Sequence, residues 1–215
     1  MKKYTWQTHK IIKETEDTIT IYFDTAQQAF TYLPGQYLNI RLTVNGELLI
    51  RSYSFSSKPS EEFPAVTIKR VTGGKMSNYI LDNADHIENW EIEAPFGNFV
   101  LEKPIAEQSQ IVLLAGGSGI SPLYAMLKSI ESTNPIPLLV YSNKSPEDTI
   151  FWNELEAMQA DEKLNICYSL PHPNLFQPKS TTLQAGSICL FCVPSSKDWL
   201  ARLPKPIITS ADPMG

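Results

Sequence analysis

Two shifts of pattern along the 215-residue chain predict a β + α/β protein, an antiparallel β-barrel followed by a parallel α/β domain. The first hundred residues alternate polar with apolar positions, as in "DTITIYF" (17–23) and "AVTIKRV" (65–71), the pattern of strands wet on one face. Turn signals at "LPGQ", "VNGE" and "TGGK" divide that region into short strands, a spacing that suits a small barrel. After about residue 104 the strands become wholly apolar and alternate with helical stretches, which requires a parallel sheet covered on both faces. The change falls near "LEKPIAEQ" (101–108), so the domains are predicted at 1–103 and 104–215.

Within the barrel domain one helix is predicted at 76–83, directly after Gly73-Gly74. In the second domain "QIVLLAG" (110–116), "IPLLVYS" (136–142), "LNICYSL" (164–170) and "ICLFC" (188–192) read as strands, with helices over 120–132 and 146–160. Ser145-Pro146-Glu147-Asp148 marks the second helix start with a capping hydroxyl, a proline at the first position and acids in the first turn. "LPHPNLFQPK" (170–179) reads as an irregular loop.

Composition excludes several classes. With 18 Lys+Arg against 23 Asp+Glu the net charge is -5, without the clustered cations that nucleic-acid phosphates require. No apolar run reaches the ~20 residues of a membrane span, and "MKKYTWQTHK" lacks the apolar middle of a signal peptide, so a cytoplasmic protein is expected. Cys167, Cys189 and Cys192 are too few for a disulfide framework or a four-thiolate metal site, and no metal is expected. Cys189 and Cys192 have redox-motif spacing, but "SICLFCV" reads as a buried strand. The four tryptophans are assigned to packing, and His9, His86 and His172 to the surface.

Three groups can carry chemistry. "LLAGGSGISPL" (113–123) is a strand, a glycine cluster and a helix start, where bare backbone and the helix dipole attract phosphate. It is neither G-x-G-x-x-G nor a P-loop, and a tight turn without a ligand is the other reading. "GGKMSNYI" (73–80) is a second glycine turn at a helix start, where Ser77 can cap the helix or help bind an anion. In "RSYSFSSKP" (51–59) strand alternation sends Arg51, Tyr53 and Phe55 to one side and Ser52, Ser54 and Ser56 to the other. A cation beside an aromatic face suits a ligand with a phosphate and a flat ring; a solvated surface strand is the alternative.

In this order "PGQYLNI", "RSYSFSS", "IKRVTGGKMSNYI", "APFGNF", "LLAGGSGISPL" and "YSNKSPEDTIFWNEL" resemble the ferredoxin–NADP reductase superfamily, over about residues 1–160. The closest similarity is to the flavoprotein reductases that feed hydroxylases, dioxygenases, ferredoxins or flavodoxins. The resemblance implies a six-stranded antiparallel Greek-key barrel holding FAD and a parallel α/β nucleotide-binding domain for NADH or NADPH. Matched motif by motif, it implies Arg51 on the FAD pyrophosphate, Tyr53 against the isoalloxazine and the Ser54 hydroxyl at the flavin N5. It places Lys69 and Val71 beside the flavin, and the turn Gly73, Gly74, Met76 and Ser77 on the FAD pyrophosphate. Gly116, Gly117, Gly119, Ile120, Ser121 and Pro122 match the pyridine-nucleotide site. The reaction implied is hydride transfer from NAD(P)H to FAD, then one-electron steps to a ferredoxin, flavodoxin or oxygenase component, by a monomer or weak dimer.

The sequence also departs from the family. Cys192-Val193-Pro194 stands where members carry Cys-Gly-Pro, so Cys192 is a candidate to assist hydride transfer beside a valine that crowds the nicotinamide. Ser169-Leu170-Pro171 lacks the arginine that grips a 2'-phosphate, which favours NADH, with Lys144 or Lys179 as substitutes. The C-x4-C-x2-C spacing of a [2Fe–2S] domain is absent, so electrons are expected to leave to a separate acceptor. Two other readings stay open: a reductase of freely diffusing flavin, and a flavin-binding relay subunit that no longer accepts nicotinamide.

Overall fold

The computed structural model describes residues 2–101, 110–130 and 136–169, all within one compact unit, Met1–Phe176. The barrel is built from β1 (Lys2–Thr15), β2 (Thr18–Asp24), β3 (Tyr37–Val44), β4 (Glu47–Ser54), β5 (Ala65–Lys69) and β6 (Trp90–Phe96). They form one antiparallel sheet in the order β4-β3-β6-β1-β2-β5. The last strand, β6, inserts between two earlier hairpins, the Greek-key crossing expected for this class. The sheet curls until its edges meet just beyond β4, where Phe55 bridges Val66 and the Ser56 N–H donates to the Ala65 carbonyl at 2.8 Å.

Local chemistry explains the turns and burial explains the curl. Asn45 and Gly46 both have positive φ (51° and 80°), as a two-residue hairpin between β3 and β4 requires. Trp6, Phe23, Leu38, Ile40, Phe55, Ile68 and Trp90 are fully buried and come from all six strands or their ends. Helix α1 (Lys75–Asn83) covers one end of this core with Met76 and Ile80.

The second part contains β7 (Val112–Gly116), α2 (Ile120–Ser129), β8 (Leu138–Ser142), α3 (Trp152–Ala160) and β9 (Asn165–Ser169). The strands are parallel in the order β7-β8-β9, as the continuous apolar runs predict. The expected strand at 188–192 lies outside the described residues.

One expected element needs correction. The helix predicted over 146–160 begins only at Trp152. The Ser145 hydroxyl does accept the Asp148 N–H at 3.3 Å, but it closes an isolated turn, and Phe151 then adopts φ 63°. Thr149, Ile150 and Phe151 are all buried, with the Phe151 ring stacked on Tyr124 at 4.0 Å. Three consecutive residues cannot all face inward on a surface helix, so packing overrides the capping signal. Similarly, α2 stops at Ser129, with Ile130 already extended.

Helix α2 is seated directly on the barrel. Gly35 has φ 98°, and a methyl group there would collide with the Phe99 carbonyl and the Met126 side chain. Farther along α2, the Lys128 ammonium reaches Glu61 at 2.8 Å and lies 4.6 Å above the Tyr124 ring. Burial pulls the Lys128 pKa below the usual lysine range, with Glu61 opposing.

Gly35→Ala should therefore destabilise the protein by about 2 kcal/mol or more, from overpacking plus a disallowed φ. Gly46→Ala has the same φ problem but open space around it, and should cost only about 1 kcal/mol. Denaturant midpoints of the two variants check this; equal losses would remove the seating role of Gly35.

Candidate functional site

The edge strand β4 carries the first set of groups. Arg51 lies opposite Ile40 and Tyr53 opposite Leu38, so both share the core-facing side, while Ser52 and Ser54 lie opposite Asn39 and Tyr37 on the other. This is the alternation read from the sequence. Because β4 is the sheet's edge, Arg51 stays exposed; its Nη1 donates to the Ile50 carbonyl at 2.8 Å. It forms no ion pair among the described residues, whereas Arg41, Lys69, Arg70 and Lys75 each meet a carboxylate. Burial pushes the Tyr53 phenol up to about 12, with Arg51 pulling the other way, so the ring stays neutral. Ser52 donates to Asn39 at 2.7 Å, Ser56 accepts from Thr67 at 2.9 Å and Ser57 is bonded to Tyr32 at 2.7 Å. Ser54 alone of this series has a hydroxyl without a side-chain bond among the described residues.

The second set is the turn entering α1. Gly73 takes φ 72°, and a Cβ on Gly74 would press on the Ser77 hydroxyl and on Val71. Ser77, buried, accepts the Val71 N–H at 3.1 Å, so its hydroxyl ties the turn together and does not cap the helix. Gly74 occupies the N-cap position with no side-chain bond, which leaves the first helical N–H groups for another acceptor. Lys75 is held by Glu47, the first residue of β4, at 2.6 Å. Val71 is exposed and Met76 buried. No hydrogen bond or ion pair among the described residues links Arg51 directly to this turn.

The third set lies at the carboxyl end of β7. Gly117 has φ 48°, and Gly117–Gly119 forms a short 3-10 turn into α2. A Cβ on Gly116, Gly117 or Gly119 would meet nothing within 4 Å, so no packing among the described residues accounts for these bare positions. Ile120 and Ser121 are buried, Ser121 donating back to the Ser118 carbonyl at 3.1 Å. Pro122 falls in the first turn of α2, where its missing N–H costs no helical bond. In front of the turn is a cleft of about 580 Å³ whose wall includes Gly116, Gly117 and Ser118 together with Lys69 of the barrel. Lys69 itself is paired with Asp17 at 3.4 Å.

Sequence reasoning passed over Asn143 and Asp148, which line the same cleft, and Tyr141, whose hydroxyl donates to the Gly117 carbonyl at 2.9 Å. Their one legible signal was their place at or just beyond the carboxyl end of the neighbouring parallel strand. Cys192 lies outside the described residues. A second cleft, on the outer barrel face, has Lys3 and Arg41 paired with Glu91 and Glu93 across the strands.

An unpaired edge cation beside a neutral aromatic ring, an uncapped helix start, and an open glycine turn facing a cleft fit ligands that combine phosphates with flat rings. FAD and a pyridine nucleotide both have that chemistry.

Comparison with known proteins agrees. Residues 6–101 match the oxidoreductase FAD-binding domain and residues 113–183 the oxidoreductase NAD-binding domain. The chain is 36% identical over 154 residues to the glycine betaine monooxygenase reductase subunit of Pseudomonas aeruginosa, covering 69% of this chain and 41% of that protein. It is 34% identical over 154 residues to the ferredoxin reductase component of 3-ketosteroid-9-alpha-monooxygenase from Rhodococcus rhodochrous, covering 69% and 43%. The chain thus spans about two fifths of the length of these curated relatives. Among solved structures, the ferredoxin reductase in carbazole 1,9a-dioxygenase superposes with a TM-score of 0.69 at 21% identity, covering 82% of this chain and 53% of that one. Ferredoxin-NADP+ reductase from Plasmodium falciparum gives 0.67 at 21% identity, covering 78% and 73%; both similarities concern the fold. The chain thus carries an oxidoreductase FAD-binding domain followed by an oxidoreductase NAD-binding domain, in a fold it shares with ferredoxin-NADP+ reductase.

Proposed function

We propose that the protein takes hydride from NADH or NADPH onto FAD and passes electrons to a separate acceptor, a ferredoxin, a flavodoxin or an oxygenase component. The observation that carries this reading is the shared cleft. Lys69, at the end of a barrel strand, and the Gly116–Ser118 turn of the α/β part border one space, so ligands held by the two parts can meet. Two of the relatives are named as reductase parts of monooxygenases, which favours an oxygenase component as acceptor.

Bound FAD would supply a two-electron acceptor able to release electrons one at a time. The chain's own residues bind and orient. Arg51, without a carboxylate partner among the described residues, would pair with a pyrophosphate, and the N–H groups after Gly74 would meet the same group from a helix start. Tyr53 offers a neutral ring face. The Ser54 hydroxyl, without a side-chain bond among the described residues, would be available to a ring nitrogen, and the Lys69 and Val71 backbone would lie beside the ring. Gly116, Gly117 and Gly119 admit the second nucleotide close to the backbone, at the head of α2. Ser169 lines the cleft without a following arginine, which favours NADH; Lys144 lines the same cleft and could meet a 2'-phosphate, while Lys179, the other candidate, lies outside the described residues.

The decisive experiment is anaerobic reduction of the purified protein after incubation with FAD. Yellow protein bleached by NADH, and more slowly by NADPH, is expected. Protein that takes up no flavin would end this reading, and flavin reduced by dithionite but by neither nucleotide would end its nicotinamide half.

Two variants test the roles of β4. Arg51→Ala should weaken FAD binding by about 1.5 to 3 kcal/mol, the range for a hydrogen bond to a charged group; unchanged affinity by titration would reject the pyrophosphate role. Ser54→Ala should retain flavin and reduce it more slowly in stopped-flow with NADH. An unaltered rate would dismiss the hydroxyl contact.

A further inference from the structure

The glycine turn at Gly116–Gly119 is read above as a phosphate cradle, and the structure contains a device that determines which way its peptide planes face. A peptide unit is rigid, so a carbonyl pinned on one side sends the following N–H to the opposite side. Glycine, lacking Cβ, lets such a unit turn over at little cost. An anion site therefore needs its carbonyls turned away as much as its amides turned in.

Two carbonyls of the turn, those of Gly117 and Ser118, each accept a hydroxyl. Ser121 donates to the Ser118 carbonyl at 3.1 Å. Tyr141 donates to the Gly117 carbonyl at 2.9 Å, the only side-chain bond to that oxygen among the described residues. The Ile120 N–H also approaches both carbonyls, but such 3-10 bonds have poor geometry and give weak restraint. Gly117, at φ 48°, is where the unit is easiest to turn.

Tyr141 is placed for this task by the sheet. It is opposite Ala115 in the parallel register of β7 and β8, is fully buried, and extends past the end of β7 to the turn. Burial holds its phenol up to about 12, against Asn143 and the Ile150 backbone, so it remains a donor at working pH.

We propose that Tyr141 is a positioning residue for the pyridine-nucleotide pyrophosphate: its hydroxyl holds the Gly117–Ser118 peptide with the carbonyl turned back into the protein and the Ser118 N–H facing the cleft. The inference rests on the nucleotide reading of this turn.

The test is Tyr141→Phe in the full chain loaded with FAD, with ADP-ribose as probe. ADP-ribose carries the pyrophosphate and no nicotinamide. Loss of one neutral hydrogen bond predicts Kd for ADP-ribose and KM for NADH both raised about fivefold, with kcat and bound FAD unchanged. Tyr168→Phe, which removes another partly buried hydroxyl from the same sheet, bonded to Glu156 at 3.3 Å, should leave these constants unaltered. Wild-type affinity in Tyr141→Phe would overturn the proposal, and so would an equal loss in Tyr168→Phe, because the effect would then be one of sheet packing. If Tyr141→Phe does not fold, amide hydrogen exchange in the unaltered protein decides: ADP-ribose should slow exchange at Ser118, and no slowing overturns the proposal. Unaltered protein that binds neither ADP-ribose nor NADH would instead remove the nucleotide reading itself, an outcome distinct from any result on the variant.

Discussion

The seating of α2 on the barrel is the constraint on which the site depends. The helix begins at the glycine turn and, at its seventh residue, drops Met126 into the space left by Gly35. If that approach were looser, the turn and Lys69 would not border a common cleft. The Lys128–Glu61 pair adds to the same contact, but a partly exposed ion pair is worth about 0 to 1 kcal/mol. A side chain forced into the close approach at Gly35 would cost about 1 to 3 kcal/mol, so the docking tolerates loss of the ion pair better than loss of the steric fit.

Polar groups in the two parts follow one rule, in which structural tasks use up donors and acceptors and the candidate binding groups remain unspent. Three of the four serines between positions 52 and 57 are committed to Asn39, Thr67 and Tyr32. The cations near the barrel turns are matched with Asp17, Glu47 and Asp82. Against that background Arg51 and Ser54 stand out by lacking, among the described residues, what their neighbours have. The glycines of the second part stand out similarly, since at Gly116 and Gly119 neither backbone angle nor packing among the described residues explains the absence of a side chain.

Much of this was legible in the sequence because it depends on local rules. Alternation placed Arg51 and Ser52 on opposite faces, glycine pairs marked both ligand turns, and "VNGE" marked the turn that proves to be the β3–β4 hairpin. What was not legible depends on distant contacts. Gly35 reads as an ordinary turn residue, and only the fold reveals Met126 against it. The start of α3 was misplaced because the burial of Thr149, Ile150 and Phe151 is decided by Tyr124 and the sheet, which a capping signal cannot report. Tyr141 reads as one more apolar strand position, and its reach to Gly117 follows from parallel register alone.

The single bridge between Phe55 and Val66 has a further meaning. Beyond it, β4 and β5 share no ladder among the described residues, so the barrel is a sheet with a seam, and Arg51, Tyr53 and Ser54 lie along one lip of it. A ligand lodged in a seam acts as a missing strand does: it joins two edges that would otherwise open independently. Binding and folding then become one equilibrium, and free ligand raises stability by RT ln(1 + [L]/Kd). A ligand bound across both lips would therefore be read out as added stability of the folded chain, apart from any catalytic effect.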